Sequence, residues 1–168
     1  MSQRFVHQNQ GTCSSSVEFI IDEGRIRSVS FRGGCNGNLQ GISRLVGDLN
    51  ALYRNTRALH ADDFTPQGFR WIDCDDRDHS RVAFERRAGD DVAVVVLNFT
   101  PVPRDRWRVG LPRGGEWREV LNTDSERYGG ANLGNAARVH TDRIPAMGRE
   151  FSTELLLPPL GALVLVPA

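Results

Sequence analysis

The sequence predicts an α+β fold that is mostly β: an N-terminal hairpin and one long helix, then an antiparallel β-sandwich of about seven or eight strands. Three observations lead there. Two β-branched and aromatic runs near the start meet at Asp22-Glu23-Gly24. An apolar stripe at three- and four-residue steps follows them. From Phe69 onward, short apolar runs alternate with Gly, Pro, Asp or Asn turns and no helical pattern intervenes. At 168 residues the chain is long enough to bury roughly 70% of its unfolded surface.

The hairpin comes first. "SSVEFIID" and "RIRSVSF" alternate, with Val17 and Phe19 on one side and Val29 and Phe31 opposite, and Gly24 supplies the left-handed residue a short loop requires. Two strands alone are marginal in water, so a cover is needed. The helix is the natural one, because Leu39, Ile42, Leu45, Val46, Leu49, Leu52 and Tyr53 form a single stripe. Val17, Phe19, Val29 and Phe31 are therefore expected to pack on Leu39, Ile42, Val46 and Leu49. Asn36 or Asn38 can cap the helix start. Gly41 and Gly47 lie inside it, each costing about 1 kcal/mol relative to Ala.

The stripe stops between Leu59 and Gly68, where "ADDFTPQG" supplies turn residues. That places a domain of hairpin and helix at 1–60 and an all-β domain at 66–168. The strands are read at "FRWIDCDD", "RVAFERRA", "DVAVVVLNFT", "RWRVGL", "WREVLNT", "ARVHTD", "STELLLP" and "ALVLVP". Ala93 to Phe99, nearly continuous in apolar residues, reads as a central strand. Pro158-Pro159 and Gly161 read as the turn of a closing hairpin.

Composition excludes several functions. Formal net charge is zero, which leaves no electrostatic footprint for nucleic acid or anionic lipid. All 21 basic residues are Arg. No apolar run approaches the roughly 20 residues of a membrane helix, and the N-terminal residues carry no signal-peptide pattern. Cys13, Cys35 and Cys74 are odd in number and widely spaced, unlike a disulfide framework. The expectation is a cytoplasmic protein with reduced thiols and no cofactor.

Two resemblances sharpen this reading. From about residue 45 to 168, "DLNALYR", "ALHADDFTPQGFRWIDCDDRDHS", "VVVLNFTPVPRDRWRVGLP", "WREVLNTDSERYGG" and "LLLPPLGALVLVP" resemble the C-terminal end of bacterial 1,4-α-glucan (glycogen) branching enzymes. These belong to the α-amylase-like glycoside hydrolase superfamily. The resemblance implies the last helix around a catalytic barrel, followed by that superfamily's all-β C-terminal domain, and a place in glycogen biosynthesis. Residues from about 11 to 46, through "TCSS", "GGCNGN" and "GISRLV", resemble the opening of the TSCPD domain, found alone or at the end of some ribonucleotide reductases. Its Thr-Ser-Cys-Pro-Asp motif is missing. The chain thus reads as a chimera joined within one helix, near Gly47.

The branching-enzyme resemblance implies glucan transfer, but that chemistry needs a nucleophile and a general acid about 5 Å apart on a barrel. A barrel typically takes about 250 residues. The expectation is an accessory or scaffold domain that is not an enzyme on its own, with α-glucan and a separate catalytic barrel as candidate partners. Tyr128, Trp107 and Asn132 are the candidate glucan contacts, since aromatic rings near polar groups suit sugar faces; Trp71 and Trp117 are expected in the core. Cys13 and Cys35 are weak metal candidates without a C-x-x-C pair. The run Asp73, Asp75, Asp76, Asp78 starts like a calcium loop, but Asp78 and Phe84 stand where Gly and Glu are needed, so a solvated turn is preferred. "GGCNGN" matches no phosphate-loop pattern, and Asn98-Phe99-Thr100 is a sequon inside a strand. The alternatives are a small cysteine-containing module of the ribonucleotide-reductase type, or a recombined chain with no selected activity.

Overall fold

The structure, a computed structural model, describes residues 2–11, 14–34 and 36–168. It divides into two compact units, Met1–Leu52 with Glu126–Gly129, and Tyr53–Ser125 with Gly130–Ala168.

The first unit is built on an antiparallel sheet of order β1-β2-β3, with β1 at Gln3–Gln8, β2 at Ser14–Asp22 and β3 at Arg25–Gly33. The hairpin forms where its sequence placed it. Glu23 (φ 52°) and Gly24 (φ 71°) are both left-handed, the signature of a type I′ turn whose twist suits the flanking strands. β1 has no counterpart in the sequence reading, because its six exposed residues carry no alternation of apolar and polar types. Register puts Phe5 opposite Phe19, Phe19 opposite Val29, and Val17 opposite Phe31, so the four expected face residues do share a face and Phe5 extends it.

The helix α1 spans Asn36–Asn55. Its buried side differs from the expected stripe. Gly41, Leu45, Asp48 and Leu52 are turned inward, whereas Ile42 and Leu49 are 46% and 42% exposed. Ile42 and Leu49, expected to face the hairpin, thus keep much of their surface in solvent, while Val46 is half-buried. The reason is polar: Asp48 binds Tyr128 and Arg127, and Asn50 donates to the Ile26 carbonyl of β3 at 3.0 Å. Apolar periodicity cannot register a face set by Gly, Asp and Asn. The side chains of Asn36, Asn38 and Leu39 lie outside what is described, as do residues Cys13 and Cys35.

The second unit begins with the last helical residues and a 3-10 turn at Arg57–Leu59, whose Ala58 is fully buried. Eight antiparallel strands follow: β4 (Phe69–Asp76), β5 (Arg81–Ala88), β6 (Asp91–Asn98), β7 (Arg104–Leu111), β8 (Glu116–Asn122), β9 (Arg138–His140), β10 (Phe151–Leu157) and β11 (Gly161–Pro167). They form a six-stranded sheet of order β4-β5-β6-β11-β8-β9 and a two-stranded sheet of β10 and β7. β6 lies inside the larger sheet, as its apolar run requires. Residues two apart supply the core: Val92, Val94 and Val96, Leu163 and Leu165, Leu155 and Leu157, and Trp107, Val109 and Leu111.

One expected hairpin is corrected. β10 pairs with β7 and β11 pairs with β6 and β8, so Pro158–Gly161 carries the chain from one sheet to the other. Asn98, 2% exposed, holds that crossing. Its amide donates to the carbonyls of Val102 and Pro158, both at 2.9 Å, and its oxygen accepts from Thr100. The sequon asparagine is thus a buried structural clamp.

Candidate functional site

Aromatic placement reverses part of the sequence reading. Trp117 is fully buried, as expected, with its indole N–H donating to the Arg113 carbonyl at 3.2 Å. Trp107 is also buried, because the alternation Trp107-Val109-Leu111 turns it into the core. Its ring lies 5.1 Å from the Arg81 guanidinium and offers no free face to a sugar. Trp71, expected in the core, is 52% exposed. It sits on β4, an edge strand, where nothing stacks beyond it.

Trp71 is not isolated. Its ring meets Phe69 edge-on at 4.9 Å, and Phe69 stacks on Phe84 of β5 at 5.3 Å. Phe84 lies opposite Trp71 in the ladder and its ring meets Trp71 edge-on at 6.0 Å. Three rings fix one another's rotamers and leave Trp71 presented to solvent. Strand alternation had given no sign of which face was open.

Tyr128 stands in a 3-10 turn, Glu126–Tyr128, of the first unit. Its hydroxyl donates to Asp48 Oδ2 at 2.8 Å, and Arg127 pairs with the same carboxylate at 2.8 Å. Burial, then the hydrogen bond and negative charge of Asp48, push the phenol pKa up to about 12. A Cβ on Gly41 would collide with the Tyr128 carbonyl. The polar end of Tyr128 is committed to the helix. Asn132 is exposed and left-handed, φ 61°, its N–H donating to the Asp124 carbonyl at 2.7 Å. The Asp124 carboxylate also takes the N–H groups of Ala131 and Leu133, which fixes the loop.

The acidic run is built as a turn. Asp76 accepts from His79 and Arg81, and these partners outweigh the upward push of burial to hold its pKa below the ordinary value. Asp73 accepts weakly from the Asp75 amide. Among the described residues no group of three or more His, Cys, Asp or Glu is placed to hold a metal ion. The one buried carboxylate among them is Glu85, 3% exposed, bonded to Arg149 at 2.6 Å and to Arg87. No helix is long and apolar enough to cross a membrane among the described residues.

Comparisons with known proteins fall into two parts. Residues 71–168 match the family described as the alpha amylase C-terminal all-beta domain, and residues 2–51 match the TSCPD domain. Among curated proteins, a 1,4-alpha-glucan branching enzyme GlgB of Aquifex aeolicus is 49% identical over 75% of this chain and 20% of its own length. That of Thiobacillus denitrificans is 54% identical over 76% of the chain and 17% of its own length. That of Paramagnetospirillum magneticum is 43% identical over 98% of the chain and 21% of its own length. The chain thus spans about a fifth of these relatives.

Proposed function

The chain belongs to the alpha amylase C-terminal all-beta domain family, matched over more than half its length, and from that premise we propose that it is a non-catalytic accessory domain of the 1,4-α-glucan branching type, with a weak α-glucan contact at Trp71. The exposed ring of Trp71 carries the proposal. A flat aromatic face held by Phe69 and Phe84 suits the apolar face of a glucose unit, and its rigidity lowers the entropy lost on binding. Trp107 is withdrawn as a contact by its burial. Tyr128 and Asn132 serve at most as secondary contacts.

The carboxylates support the non-catalytic reading. Retaining glycosyl transfer uses two carboxyl groups about 5 Å apart, one of them protonated at working pH. Glu85, the buried carboxylate among the described residues, has its oxygens taken up by Arg149 and Arg87. Affinity electrophoresis through gels containing glycogen tests the contact. The chain is expected to be retarded, Trp71→Ala to lose the retardation, and Tyr128→Phe to keep it. Equal mobility with and without glycogen would show the glucan contact to be wrong.

The N-terminal match favours a second reading for that part alone, a TSCPD-type module in which Cys13 and Cys35 ligate zinc. Metal analysis decides it. Less than about half a zinc per chain excludes a structural site, since such sites bind tightly at neutral pH.

A further inference from the structure

One groove of the second unit is not used by the glucan reading. It has a volume of about 300 Å³, the size that takes one small polar ligand. Arg57, Arg113 and Arg118 line it, together with Thr56, Asp90 and Asp91. These groups come from three places: the turn after α1, the β5–β6 connection, and the start of β8 with the loop before it.

Its charges are incompletely matched. Arg57 lies 3.7 Å from Asp91, a loose and exposed pair. Among the described residues no carboxylate pairs with Arg113 or Arg118. Arg118 stands directly opposite Arg138 in the β8–β9 ladder, a like-charge pair that destabilises a sheet. Arg138 is relieved by Glu116. Arg118 is not. An anion in the groove would relieve it, and a guanidinium pair is suited to bidentate phosphate recognition.

The two aspartates narrow the ligand. Carboxylates in the same groove repel a bare polyanion but accept hydrogen bonds from hydroxyl groups. The lining holds no aromatic ring on which a neutral sugar could stack. We propose that this groove binds a sugar phosphate, with Arg113 and Arg118 taking the phosphate and Asp90 and Asp91 accepting from hydroxyls. This does not depend on the glucan contact at Trp71.

Calorimetric titration of the full chain tests it, with glucose 6-phosphate as the probe and glucose and inorganic phosphate in parallel. Glucose 6-phosphate should bind in the millimolar range or tighter, and glucose should not bind at the same concentrations. The double variant Arg113→Gln, Arg118→Gln should weaken glucose 6-phosphate binding by roughly tenfold or more, the loss of charge-assisted bonds, without lowering the thermal midpoint, since Arg118→Gln also removes the like charge opposite Arg138. Arg113→Gln alone should weaken it several-fold and serves if the double variant does not fold. Asp91→Asn should weaken glucose 6-phosphate and strengthen inorganic phosphate. No binding of glucose 6-phosphate, equal binding of glucose, or affinity unchanged in the arginine variants would each overturn the proposal.

Discussion

At the scale of single residues, the pair Tyr128 and Asp48 shows how position outweighs residue type. A tyrosine in a glycine-rich loop invites a ligand role, yet its hydroxyl is spent on a carboxylate 80 positions away. Sequence made the loop legible but not its partner, since nothing local ties position 128 to position 48. The consequence is measurable. With a pKa near 12 against an ordinary 10.0, Tyr128 holds its proton more tightly in the folded chain. Its stabilisation is complete below pH 10 and is lost as pH rises toward 12. Ultraviolet absorbance should show one phenol ionising near 12, and Tyr128→Phe should abolish that step at a cost of about 1 kcal/mol in urea unfolding. The tryptophans teach a related lesson. Arg-Trp-Arg-Val-Gly-Leu alternates, so the burial of Trp107 was readable; Trp71 alternates as well, but which face of its strand is open shows only in the folded structure, where it is 52% exposed.

At the scale of elements, the helix α1 carries two glycines of opposite meaning. Gly47 is exposed, and a Cβ there meets nothing within 4 Å. Gly47→Ala should therefore stabilise the chain by about 1 kcal/mol through helix propensity. Gly41 is buried beneath the Tyr128 backbone, and Gly41→Ala forces the two apart. It should destabilise by about 1–3 kcal/mol, as overpacking does. Denaturant midpoints of the two variants should move in opposite directions; a common direction would remove the close approach at Gly41. Both glycines looked like equal costs in the sequence, because propensity carries no information about neighbours. The strands fared better: β4 and β5 begin and end where the apolar runs do, since period-two patterning fixes a half-buried strand directly. The β10–β11 crossing was misread because a Pro-Pro-Leu-Gly turn serves a hairpin and a change of sheet equally well.

At the scale of the whole molecule, two family matches occupy one chain, residues 2–51 and 71–168, and most of α1 lies within the first. The second unit has its own core, closed by the ion pair of Glu85 and Arg149, which reaches from β5 to the segment before β10. Breaking a buried pair strands a charge, so Glu85→Ala should cost about 3–5 kcal/mol. The double variant Glu85→Met, Arg149→Met should cost far less than the sum of the single changes, read from a double-mutant cycle in urea. The accessory role proposed for this sandwich has its most direct test in chemistry. Purified full chain is incubated with linear α-1,4-glucan, and new α-1,6 branch points are counted by debranching and chain-length profiling. The count should equal that of buffer alone; branch formation that scales with the chain's concentration and survives repurification would contradict a non-catalytic domain.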